Sequence, residues 1–448
     1  MVLTVAVPMM IQNGITNFVG LLDNIMVGRI GTEQMSGIAI VNQLLLVFNL
    51  AIFGAISGVG IFGAQFYGCK NHKGVRQTFR FKLYVCAGIV LAGIVLLSVV
   101  GERLILLYLH GDGNGQALQE TLEYGKQYLW VMLVGLAPFA VEEIYASTLR
   151  ECGETRVPMA AGTVAVFVNL MLNYLLIFGK FGFPKLGVVG AAVATVISRY
   201  VQMVVVMVWT HTHGTRMPFI IGAYRKLAIP GQLAWNIVKT GTPLMINEIL
   251  WAAGIAVQNQ CYSLRGLDAV AAQNISGTIS NLFNVVFMSM GGAISIIVGQ
   301  LLGAGKMEEA KDTDRKLIVF SVLSCFVLGG FMALLSPLFP QLYNTSDQVK
   351  ELAVRLLWIS AGCMPLYAFV HASYFTLRSG GKTIITFFFD SVYLWCVNIP
   401  LAYVLSRFTG LPMAPLFLCC QLIDLIKCVI GFILVKKGVW LNNIVADS

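Results

Sequence analysis

Four side chains in this sequence pair a cation-binding chemistry with a setting poor in water. Asp23 lies in an apolar stretch near the N-terminus, and Glu248 lies in another just past the middle of the chain. Asn169 and Asn173 fall in a third, four residues apart, so on a helix they share one face. Carboxylate and carbonyl oxygens are hard ligands suited to Na+. A carboxyl group shielded from water can also serve as a proton carrier. An ionisable residue inside a membrane helix is costly to keep there, and it marks function by default.

The elements that must hold these residues follow from composition. The chain has 448 residues, 57% of them hydrophobic and only 11% charged, with mean hydropathy +0.79. A soluble domain carries about 25% charged residues, so most of this surface faces something other than water. Runs such as 83–100, 157–178, 317–335 and 411–435 reach the ~20 residues that span a hydrocarbon core. They lack the alternation of barrel strands, and helices satisfy their own backbone. The fold class is therefore an all-α polytopic membrane protein. About twelve segments are expected, at 2–28, 34–62, 81–108, 123–149, 157–179, 187–210, 236–262, 270–299, 316–340, 351–377, 383–406 and 411–435. Met1 runs straight into the first, so no cleavable signal peptide is expected.

The net charge of +9 is distributed in a way that argues against nucleic acid. Loops on one side hold clusters such as Lys70, Lys73, Arg76, Arg80 and Lys82, or Lys306, Lys311, Arg315 and Lys316. Those on the other hold Arg29, Lys180, Lys185, Arg265, Lys350 and Arg407. The bias is roughly threefold, and the positive-inside rule then puts both termini in the cytoplasm of a cell-membrane protein. The ten cysteines show no metal-ligand spacing and read as small buried residues.

The chain repeats. Val7-Pro8-Met9-Met10-Ile11 matches Thr242-Pro243-Leu244-Met245-Ile246, and Gly63-Ala64-Gln65-Phe66-Tyr67-Gly68 matches Val298-Gly299-Gln300-Leu301-Leu302-Gly303, both at an offset of 235. Thr148-Leu149-Arg150 matches Thr376-Leu377-Arg378, and Val168-Asn169 with Tyr174 matches Val397-Asn398 with Tyr403. Two six-helix lobes, 1–210 and 236–448, are expected, joined by a cytoplasmic linker at 211–235. Because six is even, their pseudo-two-fold axis runs along the membrane normal, and such repeats place a substrate site between the halves.

Rise per residue puts Asp23 roughly 8 Å, Asn173 roughly 9 Å and Asn169 roughly 15 Å from the outer ends of their helices. They form the candidate ion-coupling site, for H+ or Na+, with Glu248 near mid-membrane as a fourth member. Otherwise they are a helix-packing polar network. At the repeat offset Asp23 falls on Gln258 and Glu248 on Asn13, so each half has an acid where the other has an amide. Gln12, Asn13, Asn17, Asn247, Gln258 and His371 are candidate cavity residues. Glu142, Glu143, Arg199, Asp390 and Lys427 lie nearer the inner face and read as gate pairs or as plain structural ion pairs. No nucleotide-binding or hydrolytic motif is present, so no enzyme activity and no cofactor beyond a bound Na+ or transported H+ is expected.

Pro8 followed by Leu22-Asp23-Asn24-Ile25-Met26-Val27-Gly28, then Gly63-Ala64-Gln65-Phe66-Tyr67-Gly68, resembles the multidrug and toxic compound extrusion family. So do Ala146-Ser147-Thr148-Leu149-Arg150 with Gly153-Glu154-Thr155, Asn169-Leu170-Met171-Leu172-Asn173-Tyr174 and Gly190-Ala191-Ala192. The resemblance covers nearly the whole chain. It implies two six-helix bundles that export cationic, amphipathic drugs in exchange for H+ or Na+. The chain is expected to work in the lipid bilayer as a monomer. It gives Asp23 the role of the first-helix acid, Glu248 that of the seventh-helix acid and Asn169 that of a fifth-helix Asn near the first. Some members have an acid where this chain has Asn173, and many sodium-coupled members have a tenth-helix Asp where this chain has only uncharged residues and His371. The competing readings are a lipid-linked oligosaccharide flippase of the same superfamily and a non-transporting membrane sensor.

Pro8 stands fifteen residues before Asp23, and proline permits a helix to bend. A bend there would couple Asp23 to the cavity. Pro8→Ala is therefore expected to slow transport and change its ion dependence. Unchanged vesicle transport and ion dependence would remove Pro8 from the mechanism.

Overall fold

The computed structural model describes residues 2–108, 115–225, 228–343 and 345–446, and it is helical with no strand among them. Twelve helical arms follow in order. The first six are Val2–Gly28, Thr32–Gly68, His72–Tyr108, a fourth in two pieces (Gly115–Val134 and Leu136–Glu151), Arg156–Phe178 and Val188–Thr212. The seventh to tenth are Gly231–Ser263, Leu267–Gly303, Met307–Leu335 and Asp347–Ser379. The eleventh covers Thr383–Phe408 and the twelfth Met413–Lys436. Among the described residues nine helices are long and apolar enough to cross a membrane, or ten with the bent fourth. The seventh has the length, at 33 residues, but is too polar to pass. The first is 27 residues long, and several of its side chains are outside those described.

The second and third helices are longer than the apolar runs that announced them, because a helix continues past the point where the hydrocarbon ends. Lys82 is consequently not a loop residue. It is buried on the third helix, 2.6 Å from Glu151, and it also donates to Ser147 and Thr148. Arg80 and Arg378 are likewise buried helix residues.

The fourth helix bends by 45° around Gly135, three residues before Pro138. Pro138 removes one backbone donor and its ring crowds the preceding turn. Arg199 of the sixth helix donates to the Gly135 carbonyl at 3.1 Å and lies 5.0 Å above the Phe139 ring.

Contacts divide the chain into two compact units. One comprises residues 11–63 and 72–235, and the other 1–10, 64–71 and 236–448. The boundary at 235/236 coincides with the end of the expected linker. Two short pieces differ from the sequence expectation: the beginning of the first helix and the end of the second belong with the C-terminal residues. The linker itself is packed on the third helix. Arg76 donates to the Phe219 and Pro218 carbonyls at 3.0 and 3.1 Å, and Arg80 donates to those of Ala223 and Gly222 at 2.7 and 2.8 Å.

In the second of these units Val5 and Ala6 join a core with Met290, Ala293, Ile294 and Ile297 of the eighth helix. The end of the second helix crosses the end of the eighth through the paired repeat motifs. A Cβ at Gly68 would overlap the Gln300 carbonyl, and one at Gly303 would overlap that of Gln65. Glycine on both sides lets the two backbones meet. Gln65 is buried at the crossing, where it donates to Ser379 O and Asn442 O and accepts from Ile444 N at 2.9 Å. Gly303→Val should therefore lower the melting temperature of the detergent-solubilised protein sharply. Gly330→Val, which meets nothing within 4 Å, should leave it unchanged. Equal melting curves for the two variants would refute the close-packing argument.

Candidate functional site

In the unit made of 11–63 and 72–235, Asp23, Asn169 and Asn173 meet. Asn173 donates to Asp23 Oδ1 at 2.6 Å. One end of the Asn169 carboxamide lies 3.0 and 2.9 Å from the two Asp23 oxygens. The amide nitrogen belongs at that end, since a carboxylate only accepts. Two carboxamides on one face of the fifth helix thus clamp the first-helix acid. The two amides are buried and Asp23 is half-buried.

Thr195 of the sixth helix completes the cluster, 3.3 Å from the Asn169 carboxamide. Tyr128 of the fourth helix donates to Asn42 of the second at 3.3 Å. Asn173 Oδ1 is a buried acceptor without a hydrogen-bond partner, and Asp23 has no ion-pair partner among the described residues. A carboxylate held by neutral donors, next to an unused carbonyl oxygen, is an arrangement that can accept a small cation. Gln12, further along the first helix, packs against Gly162, while Asn13 and Asn17 are exposed.

The remaining acids of this unit have other partners. Glu142 is buried and accepts from Gln202 at 2.8 Å. Glu143 is 3.7 Å from Arg150. Arg199 serves the bend in the fourth helix. None of these three pairs with another of them.

In the other unit Asn247 and Glu248, adjacent in sequence, point in different directions round the seventh helix. Asn247 is 1% exposed and ties the seventh helix to the eleventh. Its nitrogen donates to Asp390 at 3.1 Å and Tyr374 at 3.3 Å. Its oxygen accepts from the Ser391 backbone N–H at 3.2 Å and the Ser391 hydroxyl at 2.7 Å. The eleventh helix is wound as π-helix over Phe388–Val392 and again over Leu394–Asn398. The first π-turn presents Asp390 and turns the Ser391 N–H toward Asn247. The second stands just before Pro400, which supplies no backbone donor.

Asp390 also pairs with Lys427 at 2.6 Å, and the Lys427 ammonium lies 5.2 Å from the Phe389 ring. This expected gate pair is a pair internal to one unit. Asn247, expected to line a cavity, is instead an interior pin.

Glu248 is half-buried. The charges it senses are Arg378, which attracts it, and Asp390, which repels it. His371 sits among aromatic rings, 5.3 Å from Phe287 and 4.9 Å from Phe375 between centroids. Gln258 donates to the Tyr262 hydroxyl at 3.0 Å.

Two residues were missed by the sequence argument. Thr195 is a neutral residue whose relevance depends on helix facing. Asp424 of the twelfth helix accepts from Asn398 at 3.1 Å, and its signal was an acid in the middle of an apolar run.

Comparison with known proteins adds the lineage. The family model described as MatE matches residues 8–175 and 243–404. A probable multidrug resistance protein NorM of Thermotoga maritima is 25% identical over 410 residues, covering 90% of this chain and 84% of that protein. The probable multidrug resistance protein YoeA of Bacillus subtilis is 27% identical over 417 residues, covering 90% and 86%. An outward-facing multidrug resistance MATE family transporter superposes with TM-score 0.88 at 18% identity, over 98% of this chain and 95% of that one. A Pyrococcus furiosus transporter of the MOP superfamily, described as having a binding pocket of reversed polarity that suggests a different function, superposes with TM-score 0.86 at 18% identity over the same shares.

Breaking the Asp390–Lys427 pair from one side strands a buried charge, at a cost of about 3–5 kcal/mol. Lys427→Met alone should lower the thermal midpoint strongly, and adding Asp390→Leu should recover most of the loss. A double variant no more stable than the single would show that the pair is not a closed structural unit.

Proposed function

The chain belongs to the multidrug and toxic compound extrusion (MatE) family, and we propose that it is a secondary antiporter exporting cationic, amphipathic molecules in exchange for H+ or Na+. The single observation that supports this most is the Asp23 cluster. Its carboxylate is contacted by the Asn173 and Asn169 carboxamides, with the Asn173 carbonyl oxygen left over. An anion in a low-dielectric setting without a counterion favours cation binding, because neutralising it removes the cost of keeping a bare charge.

In this reading H+ or Na+ enters at Asp23 and is released when the site's exposure changes. The two amide N–H groups hold the carboxylate in place in both states of occupancy. The Asn173 oxygen accepts a hydrogen bond from the O–H of a protonated Asp23, or serves as a second oxygen ligand to Na+. Glu248, half-buried on the seventh helix, supplies the negative charge that attracts a cationic substrate. The names of the Thermotoga and Bacillus relatives, probable multidrug resistance proteins, support drugs as substrates. The loop charge bias supports cytoplasmic termini in a cell membrane, with the transporter acting as a monomer. Export of an anionic lipid-linked sugar would call for free cations, and Lys427 is already neutralised by Asp390.

The test is ethidium efflux from proteoliposomes with an imposed pH or Na+ gradient. Asp23→Asn should reduce gradient-driven efflux by at least about tenfold, the loss of one interaction worth ~1.4 kcal/mol. Glu248→Gln should weaken ethidium binding. Wild-type coupled efflux in both variants would overturn the reading.

A further inference from the structure

The repeat places a second amide–oxygen cluster in the unit that contains 236–448, and it differs from the first in where its charge comes from. Asn169 meets Thr195 at 3.3 Å in one unit, and Asn398 meets Asp424 at 3.1 Å in the other. Each pair is separated by 26 residues, and Asn398 is the repeat counterpart of Asn169. A carboxylate therefore stands where the first unit has a hydroxyl. Conversely, the repeat counterpart of Asp23 is the neutral Gln258, which is turned to Tyr262. Each unit thus holds an amide-bound carboxylate, drawn from the first helix in one and from the twelfth in the other.

Asp424 lies eleven residues past the start of Met413–Lys436, roughly 17 Å along the axis and so near the middle of the span. The helix is interrupted there, one piece ending at Leu422 and the next starting at Asp424. The intervening Ile423 carbonyl accepts from the Tyr393 hydroxyl at 2.7 Å. Irregular backbone at membrane depth is tolerated where protein satisfies it or where it lines a site.

Asn398 is 8% exposed. Its nitrogen is used on Asp424, and its oxygen, in the same carboxamide, is buried without a hydrogen-bond partner. The acid has no ion-pair partner among the described residues, because the Lys427 ammonium one turn away is engaged by Asp390 at 2.6 Å. The other charged or titratable groups around Asp424 are Asp390 and Tyr393 on the eleventh helix, Cys363 and Tyr367 on the tenth, and Cys420 and Cys428 on its own. Apart from Lys427, which attracts Asp424 from one turn away, none of the groups named brings a positive charge.

We infer that Asp424 and Asn398 form a second binding site for a monovalent cation, H+ or Na+, separate from the one at Asp23. The site's oxygens are the Asp424 carboxylate and the Asn398 carbonyl. The inference rests on the antiporter reading for its physiological use, while the site itself is tested by binding alone.

Purified protein in nanodiscs would be assayed in two arms, equilibrium binding of radioactive Na+ and proton uptake after an acid pulse read with a pH indicator. Wild type, Asp23→Asn, Asp424→Asn and the double variant are compared. Asp424→Asn keeps the side-chain shape, and Asp424→Glu, which restores the carboxylate, should restore binding and so excludes a folding defect. Asp424→Asn should lose about half of the bound cation, and the double variant nearly all of it. A loss in the Na+ arm assigns Na+ to the site, and one in the proton arm assigns H+. Binding equal to wild type in both arms for Asp424→Asn overturns the inference, whatever Asp23→Asn does. Full binding by Asp23→Asn instead removes the Asp23 site and leaves this one standing.

Discussion

A charge placed among membrane helices must be solvated by the protein that carries it, and the contacts in this chain follow from that constraint. Lys82 is met by Glu151 and two hydroxyls, and Lys427 by Asp390. Arginines without an acid use backbone carbonyls: Arg80 those of Ala223 and Gly222, Arg199 that of Gly135, and Arg265 those of Leu405 and Thr409 at 2.8 and 2.7 Å. Each solution joins two segments, so satisfying the charge also fixes the packing. Asp23 and Asp424 are solved differently. Their hydrogen-bond partners are neutral amides, which position a carboxylate without cancelling it. The candidate ion sites belong to the merely held charges, a class that also includes Glu142 on the Gln202 amide.

The same constraint accounts for the irregular stretches of helix. At the bend the Gly135 carbonyl accepts from Arg199 as well as from the Phe139 N–H. The π-turn at Phe388–Val392 gives the Ser391 N–H to Asn247 and presents Asp390 to Lys427. The interruption at Ile423 turns a carbonyl toward Tyr393. In each case a backbone group at the irregular turn is met by a side chain of a neighbouring helix, in keeping with the need to satisfy buried polar groups.

Much of the fold was legible because hydropathy and repetition are written along one dimension. The twelve apolar segments, the matched proline and glycine motifs, and the depth agreement between Asp23 and the Asn169–Asn173 face all depend on spacing within a helix. What spacing could not give was facing between helices. Asn247 and Glu248 differ by about 100° round the helix axis, and only the structure shows that the first is turned inward. Thr195 carries no charge to mark it. Arg80 and Lys82 read as loop cations because apolarity locates the membrane edge, whereas the helices run on beyond it. Asp424 was visible as an acid in an apolar run, but its partner Asn398 lies on another helix.

The repeats explain why the two units can share a frame and differ in chemistry. Backbone approach recurs in both halves of this chain, since Gly68 and Gly303 each press on the opposite helix of the same crossing. Such contacts tolerate no side chain and leave no freedom at those positions. Polar positions are freer: the carboxylate beside the repeat-related asparagine comes from Asp23 in one unit and Asp424 in the other, and the vacated positions are filled by Gln258 and Thr195. An amide pointing the right way is the fixed part of each cluster, because it sits on a helix face set by packing. The charge can be delivered from whichever neighbouring helix reaches it. The partition between the units also falls inside the first helix, after Met10, and inside the second, after Gly63. Asp23 therefore rides on a continuous helix whose first turns are packed in the other unit.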